Sequence, residues 1–421
     1  MYSDTIIQKC LNRCTSVEFI ITEKCQNACK YCYRVKKHQL SNKTLLDPKD
    51  LEIYISNMFD MFGSRFFDNI EIELFGGDPL LDYHHFYEVL QVLCSKIDKC
   101  RRILIPSNTR LLQDLTCQDI KELFLSATNK DIEVCISFSV DIIDDKQRKL
   151  SKIGQMLDYD VDYNFDKVLR CLSEAGVVYG FHPMLDFDNI DKWFHQFKFY
   201  FDRKMYPYLL EVRHPLTLEQ ALRATEELVV IRKYVEHKIS NKEVPEYVTR
   251  ILNTISASRV PRGLGCSAHT SLCVNIEGNI PFCHRLMDPP WICGSVLSKR
   301  INISKFAHFK MVYDHRNHIN CAVCPVRMFC SGQCVGASYE YWGDPWSPID
   351  SICDYTRLKI YTFINYFADW SDMTKCMSNQ QRQQLHQQVM STFGENNLKI
   401  LHQNIDVRLS KILQGEKSNN V

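Results

Sequence analysis

Apolar and polar residues alternate along the first half of the chain in two repeating lengths. Short runs rich in β-branched and apolar residues predict strands, and longer segments with apolar residues every three or four positions predict helices. The predicted strands span 17–22, 70–75, 103–107, 132–140, 177–184 and 209–213. The predicted helices span 49–62, 84–97, 117–126, 165–175, 190–201 and 218–236. Six strand-then-helix units in succession predict a parallel sheet covered by helices, because parallel strands need long crossover connections.

Length, composition and charge limit the number of domains and the kinds of partner that we expect. The chain has 421 residues, 45% of them hydrophobic, which is enough for two or three domains with substantial cores. The formal net charge of +1 gives no reason to expect a nucleic acid or a membrane surface as a partner. No segment has the apolar length of a transmembrane helix, and residues 1–9 contain no apolar signal core. We therefore expect a cytoplasmic protein with no nucleic-acid and no membrane partner.

Three cysteines directly after the first predicted strand are the most informative feature. Cys25, Cys29 and Cys32 have the spacing C-x3-C-x2-C. A tetrahedral zinc site or a closed four-iron cluster needs four protein ligands, so three thiolates on one short loop leave a metal position for an exogenous ligand. A zinc knuckle is the alternative, but the sequence offers no fourth ligand nearby.

A second group of cysteines lies far downstream. It contains the spacing C-x2-C-x5-C-x3-C, and Gly278 precedes one member as G-x4-C. Its members are Cys266, Cys273, Cys283, Cys321, Cys324, Cys330, Cys334 and Cys353. Two closed sets of four thiolates account for this group, and a pair of zinc ribbons is the alternative. Most of the remaining cysteines are interpreted as small buried hydrophobic residues: Cys10, Cys14, Cys94, Cys100, Cys117, Cys135, Cys171, Cys293 and Cys376.

The two cysteine groups together resemble radical S-adenosylmethionine enzymes with a SPASM auxiliary-cluster domain, a peptide and protein maturase group related to sulfatase maturases and pyrroloquinoline quinone peptide maturases. The loop around the first group also resembles the family's signature, including Tyr31 directly before the last cysteine. The resemblance implies a partial (β/α)6 TIM-like barrel, then a small cysteine-rich iron-sulfur domain and C-terminal helices. It implies S-adenosyl-L-methionine and three 4Fe-4S clusters as cofactors. One auxiliary cluster would be held by Cys266, Cys273, Cys283 and Cys334, and the outer one by Cys321, Cys324, Cys330 and Cys353.

The resemblance also divides the chain into domains. We expect an N-terminal segment over 1–15, the radical S-adenosylmethionine barrel over 16–237 and a helical linker over 238–260. The SPASM domain would span 261–355, and a C-terminal helical segment 356–421. Only about two dozen residues precede Cys25, too few for the leader-recognition domain that many ribosomal-peptide maturases carry.

Segments after the predicted strands resemble the family's cofactor contacts. Gly76-Gly77-Asp78-Pro79 resembles the Gly-Gly-Glu-Pro motif that receives the methionine amino group, with Asp in place of Glu. Ser107-Asn108 resembles a Thr/Ser-Asn pair, and Ser139 and Asp141 resemble a Ser-x-Asp-Gly segment in which Ile142 replaces the glycine. Arg148 would pair with the methionine carboxylate. The alternatives are an ordinary turn at 76–79 and a solvated basic run at 146–149.

His284, Asp141 and His182 are the candidate catalytic residues. His284 follows Cys283 in a segment that resembles the Pro-Cys-His of pyrroloquinoline quinone peptide maturases, whereas sulfatase maturases have an acidic residue there. His284 would take a proton near neutral pH, or would tune the potential of a cluster. His182 lies at the rim of the fifth predicted strand, where a structural role is an equal alternative.

The resemblance implies reductive cleavage of S-adenosylmethionine to a 5′-deoxyadenosyl radical and hydrogen abstraction from a peptide that is ribosomally synthesised and post-translationally modified. A crosslink or another oxidative modification is the expected product, with a flavodoxin- or ferredoxin-type electron donor in an anaerobic setting. One alternative is oxidation of a protein Cys or Ser, as in anaerobic sulfatase maturases. The other is a non-catalytic iron-sulfur or zinc scaffold protein.

Overall fold

The structure is a computed structural model that describes residues 10, 12–34, 44–139, 165–205, 207, 210–211, 214–241, 267–309, 318–330 and 332–415. It contains two compact units. Unit 1 consists of Met1–His182 with Ser267–Tyr313, and unit 2 of Pro183–Cys266 with Asp314–Val421. No helix in the described part of the chain is both long enough and apolar enough to cross a membrane.

The strands and helices are numbered here in chain order. The strands are β1 (Ser16–Thr22), β2 (Glu71–Gly76), β3 (Arg102–Ser107), β4 (Val134–Phe138), β5 (Val178–Phe181), β6 (Met184–Leu185), β7 (Leu210–Glu211), β8 (Ser271–Val274), β9 (Asn279–Pro281), β10 (Ile292–Ser295) and β11 (Arg300–Ile301). The helices are α1 (Pro48–Phe62), α2 (Tyr83–Lys96), α3 (Cys117–Thr128), α4 (Phe165–Glu174), α5 (Trp193–Asp202), α6 (Leu218–Ser240), α7 (Ile303–Ala307), α8 (Ile319–Ala322), α9 (Val335–Trp342), α10 (Asp350–Tyr366), α11 (Ala368–Met373), α12 (Asn379–Phe393) and α13 (Glu395–Gly415).

Unit 1 is built around a parallel sheet with the strand order β5-β4-β3-β2-β1-β8. In β2, Ile72 and Leu74 are fully buried while Glu73 and Phe75, which alternate with them, are partly exposed, so the two faces of the strand differ. The prediction of a parallel sheet with intervening helices is confirmed for the first five strands. Their bounds differ from the predicted ones by at most three residues, and most by no more than the one or two that are usual at element ends.

The sixth strand of this sheet is β8 rather than the predicted strand over 209–213. Within the described residues of that range, β7 pairs in parallel with β6 in a separate two-stranded sheet of unit 2. The edge position next to β1 is taken by β8, whose register aligns Cys273 with Glu18. Four residues within a cysteine-rich segment carry too little periodicity to predict such a long-range pairing.

Helix α1 is one of the helices between the strands of this sheet, and local sequence signals determine where it begins and ends. The Asp47 side chain accepts a hydrogen bond from the Lys49 N–H, Pro48 begins the helix, and Gly63 follows its end. Its buried side chains recur with helical spacing at Leu51, Tyr54, Ile55 and Met58. One face of the helix is therefore apolar, as the sequence pattern predicts.

Unit 2 has its own hydrophobic core. Helix α6 packs against α10 and α13, and Trp193, Tyr234 and Trp370 are among its fully buried side chains. The guanidinium of Arg232 is buried there with the carboxylates of Asp369 and Glu236, at 2.6 and 3.1 Å. Helices α10 to α13 confirm the predicted C-terminal helices.

Two cysteines outside the motif groups form a disulfide. Cys117 at the start of α3 is bonded to Cys171 in α4. Cys171 is buried as the interpretation expects, whereas Cys117 is only partly buried, and the disulfide between them was not predicted. Cys376 is exposed, which also departs from that interpretation, whereas Cys94 and Cys293 are buried as expected.

Candidate active site

Three cysteine thiols come together on the loop that follows β1, which we call the three-cysteine loop (23–34). Burial raises the pKa of the Cys25 thiol well above its usual range, and the nearby charges of Asp78, Cys29 and Cys32 raise it further. The Cys32 N–H donates to the Cys29 carbonyl at 3.0 Å, so the second half of the motif is a tight turn. The loop lies at the carboxyl end of β1, which is where function is located in parallel β/α folds.

A buried ion pair joins the two ends of this loop. The Arg34 guanidinium is 3% exposed and pairs with the Glu23 carboxylate. A buried guanidinium is stable only with a charged partner, so the pair fixes the base of the loop. Neither residue belongs to the cysteine motif, and sequence analysis missed both.

The glycine pair after β2 lies directly against the start of the three-cysteine loop. The Gly77 N–H donates to the Thr22 carbonyl at 2.9 Å, and the Asp78 N–H donates to the Lys24 carbonyl at 2.8 Å. A Cβ atom on Gly76 would stand 2.0 Å from the Thr22 oxygen, and one on Gly77 would stand 2.1 Å from the Lys24 oxygen. The absence of side chains at Gly76 and Gly77 therefore allows close approach to the loop backbone.

The Asp78 side chain is buried and connects this loop to the end of β3. Its carboxylate accepts hydrogen bonds from Gln26, Ser107 and Asn108. Burial raises the pKa of Asp78, and the hydrogen bonds from Ser107 and Gln26 oppose that shift. The structure thus brings together three predicted cofactor contacts and adds Gln26, which the sequence analysis did not select.

The two residues after Cys25 have buried oxygen atoms without hydrogen-bond partners among the described residues. These atoms are Gln26 Oε1 and Asn27 Oδ1, on side chains that are 1% and 4% exposed. A buried acceptor without a donor is costly in free energy, so such atoms point to a bound group that supplies donors. Three thiols that leave one iron position open, next to buried acceptors, fit a 4Fe-4S cluster and the ammonium of S-adenosylmethionine.

An acidic pair and a histidine lie on the sheet near this loop. Glu18 of β1 and Glu73 of β2 are partners in register, and burial and the charge of Glu18 raise the pKa of Glu73 well above its usual range. His284 Nδ1 lies 2.8 Å from Glu18 Oε2, and its ring is 4.8 Å from that of Phe75. The predicted candidate His284 is therefore held by a carboxylate that sequence analysis missed. A glutamate inside an otherwise apolar strand was the available signal.

His182 directly follows β5 and forms a hydrogen bond with the Ser137 side chain. Burial lowers the pKa of His182 to about 4, and the charge of Arg102 contributes to the shift. The imidazole is therefore neutral near pH 7. Ser139 directly follows β4, the neighbouring strand, and donates its N–H to the Ser107 carbonyl at 2.8 Å.

Of the other predicted site residues of this region, two lie in the described part of the chain and two lie outside it. Tyr31 lies in the three-cysteine loop and is partly exposed, and Pro79 lines a cavity of about 300 Å³ with Thr22 and Lys24. Asp141 and Arg148 lie outside the described residues.

The predicted outer cysteine set lies together in unit 2. Burial raises the pKa of Cys353 to about 12, Arg357 opposes the shift, and Cys330, Cys321 and Cys324 add to it. The Gln333 side-chain amide donates to Cys353 Sγ at 3.1 Å. Four thiols within electrostatic reach of one another fit a closed cluster.

The other predicted set draws its members from both units and from outside the described residues. Cys273 and Cys283 are buried in unit 1, Cys334 belongs to unit 2, and Cys266 lies outside the described residues. This set stays a prediction. In the ranges that the structure describes, no three or more His, Cys, Asp or Glu side chains are arranged to hold a single metal ion.

Comparison with known proteins shows which solved structures have a similar fold. Residues 13–158 match the family described as a 4Fe-4S single cluster domain. The structure of native anSMEcpe with bound AdoMet is similar with a TM-score of 0.61 and 13% identity, over 86% of this chain and 100% of that one. The same protein with bound AdoMet and Cp18Cys peptide gives a TM-score of 0.61 and 13% identity, over 86% and 99%. BtrN in complex with AdoMet and 2-DOIA gives a TM-score of only 0.35 with 14% identity, over 70% and 85%. No curated protein matches the chain by sequence.

These matches define the fold of the protein. The chain has the α/β fold of anSMEcpe, solved with bound AdoMet, and the segment that contains its three-cysteine loop matches a 4Fe-4S single cluster domain. The fold class that the sequence predicts is confirmed, and the match to a 4Fe-4S single cluster domain agrees with the predicted first cluster. At these identities the solved structures establish the fold and not the reaction.

Proposed function

We propose that this protein is a radical S-adenosylmethionine enzyme that modifies a peptide. The observation that carries the proposal is the position of Cys25, Cys29 and Cys32, close together on the loop that leaves the carboxyl end of β1. A scaffold or electron carrier would need the cluster but not the glycine pair and buried acceptors beside it. Those additional features favour a loop built to hold both a cluster and an organic cofactor.

Different residues of the chain would bind the cluster and the S-adenosylmethionine. The three thiols bind iron, and Gly76 to Pro79, Ser107, Asn108, Ser139 and Tyr31 surround the cofactor, with Asp141 and Arg148 as further proposed contacts. When bound, a reduced cluster and S-adenosylmethionine would supply the radical chemistry that removes hydrogen from an unactivated carbon. His284, with Glu18 beside it, and the neutral His182 are proposed to handle protons near the substrate.

Two auxiliary 4Fe-4S clusters complete the proposed set of three. The proximity of Cys321, Cys324, Cys330 and Cys353 supports the outer one. Clusters in this position would accept an electron from the modified substrate, which favours a net oxidation such as a crosslink. A flavodoxin- or ferredoxin-type donor would reduce the first cluster, in an anaerobic cytoplasm.

A peptide substrate is supported by the fold. The similar protein anSMEcpe has been solved with bound AdoMet and the Cp18Cys or Kp18Cys peptide. This likeness also favours a second candidate function, oxidation of a Cys or Ser in a protein as in sulfatase maturases. His284 in place of their acidic residue disfavours it, and His284→Asp restoring formylglycine formation would support it.

The test is anaerobic reconstitution with iron and sulfide, followed by dithionite and S-adenosylmethionine and chromatography for 5′-deoxyadenosine. We expect deoxyadenosine and roughly twelve irons per chain from the wild type, because three four-iron clusters contain that number. The variant with Cys25, Cys29 and Cys32 changed to Ala should form no deoxyadenosine and keep roughly eight irons. Equal loss of all iron in that variant, or zinc in place of iron, would contradict the proposal.

A further inference from the structure

The carboxylate of Asp78 is fully occupied by donors from the protein itself. Oδ1 accepts from the Ser107 hydroxyl at 2.6 Å and from the Leu80 N–H at 3.1 Å. Oδ2 accepts from the Gln26 side-chain amide at 3.0 Å and from the Asn108 N–H at 3.2 Å. An ionised carboxylate has about four lone-pair sites, so four donors leave it no acceptor capacity for a ligand. The side chain is also 1% exposed.

The four donors belong to three separate segments of unit 1. Gln26 directly follows the first cysteine of the three-cysteine loop, Leu80 follows β2, and Ser107 and Asn108 lie at the end of β3. The Asn108 side chain accepts a second hydrogen bond from the same Gln26 amide. One buried carboxylate thus connects the loop to two strand ends.

We propose that Asp78 is a positioning residue that fixes the three-cysteine loop to the ends of β2 and β3, and that it does not receive the amino group of the cofactor. The role rests on the proposed function, because that function makes the loop a cluster ligand. An ammonium donates hydrogen bonds, and a carboxylate already bonded to four donors cannot accept more without losing one.

The network leaves another acceptor for the amino group. Because the Gln26 amide nitrogen donates to Asp78 and Asn108, the orientation of its side chain is set, and its Oε1 atom stays buried without a partner among the described residues. Asp78 would therefore act on the cofactor through Gln26.

Hydrogen exchange of the iron-free protein tests the role without requiring a cluster. Asp78→Asn replaces one acceptor oxygen by an NH2 group, which donates and cannot accept, and Ser107→Ala removes one donor with less disturbance. We expect amides in 22–34 to exchange roughly tenfold faster in Asp78→Asn, because one hydrogen bond to a charged group has about that effect on an equilibrium. Ser107→Ala should give a smaller change in the same segment.

The matched control is Asp98→Asn. Asp98 is a surface carboxylate with a 93% exposed side chain, paired with Lys130 at 2.7 Å. Its replacement should leave exchange of 22–34 unchanged, which would show that loss of a carboxylate elsewhere in the unit is not sufficient.

Equilibrium dialysis of the reconstituted variants with S-adenosylmethionine separates the two roles. Unchanged exchange in 22–34 in Asp78→Asn would overturn the proposal, and a tenfold loss of cofactor affinity beside it would make Asp78 a direct ligand. Faster exchange in both Asp78→Asn and Ser107→Ala supports it. The exchange result decides this role even if the wild type forms no deoxyadenosine, so a failure of the proposed function is recognised separately.

Discussion

The close contact between the glycine pair and the three-cysteine loop predicts a large cost for one methyl group. In Gly77→Ala the new Cβ would stand 2.1 Å from the Lys24 carbonyl oxygen and 2.5 Å from its carbon. Van der Waals contact needs more than 3 Å, so the two segments must separate by roughly 1 Å. Separation on this scale takes the Gly77–Thr22 and Asp78–Lys24 hydrogen bonds, now 2.9 and 2.8 Å, out of range.

The magnitude follows from these two effects. Two backbone hydrogen bonds contribute about 1 kcal/mol each to stability. Strain from inserting a methyl group into a packed site adds about 1 to 3 kcal/mol. We therefore expect Gly77→Ala to lower the free energy of unfolding by about 3 to 5 kcal/mol, and to reduce iron bound at the three-cysteine loop.

A matched control exists in the same sheet. A Cβ on Gly180 in β5 would meet nothing within 4 Å, so Gly180→Ala should change the free energy of unfolding by less than about 0.5 kcal/mol. The assay is urea denaturation of the iron-free proteins, followed by circular dichroism and linear extrapolation. Equal unfolding free energies for the two variants would refute the close contact and the argument built on it.

Three further predictions concern other parts of the molecule. Gln333→Leu removes the N–H donor to Cys353 Sγ and should lower the reduction potential of the outer cluster in a redox titration, because that hydrogen bond stabilises the more negative reduced state; an unchanged potential would contradict this. The hydrogen bond that the His214 ring donates to the Asp186 carboxylate raises the pKa of His214, so its stabilisation is present below the unfolded pKa of about 6.5 and lost as pH rises through the folded pKa. Asp186→Asn should therefore lower the urea midpoint at about pH 6 more than at about pH 8, and an equal loss at both would oppose this reasoning. Cys171→Ser opens a disulfide with a sequence separation of 54, which should cost about 4 kcal/mol of unfolding free energy and abolish the effect of dithiothreitol on stability.

The strands and helices that are specified by nearby residues in the sequence could be predicted. The first five strands follow from short apolar runs, and α1 follows from the Asp47-Pro48 start and Gly63 end. The position of β8 beside β1 was not predictable, because its pairing joins segments more than 250 residues apart. Four residues of β-like sequence do not specify a partner over that distance.

In the candidate site, too, the residues that a local sequence pattern specifies could be predicted, and those that depend on long-range contacts could not. Cys25, Cys29 and Cys32 could be selected because ligand spacing is a local property of a loop. Glu18 could not be assigned a partner, because His284 lies 266 residues away in the sequence and only the fold brings the two together. Gln26 was missed because its chemistry depends on Asp78, which the cofactor motif assigns to a different role.

The departure from the family's Gly-Gly-Glu-Pro motif has a physical consequence at Asp78. Its carboxylate accepts from the N–H of Leu80, two residues further on, across Pro79. This local turn is typical of Asp and Asn, whose short side chains reach the backbone two positions ahead, and a glutamate has one methylene too many to form the same ring. The same short side chain places Oδ2 against Gln26. Aspartate at this position therefore closes a turn and bonds to the three-cysteine loop at once.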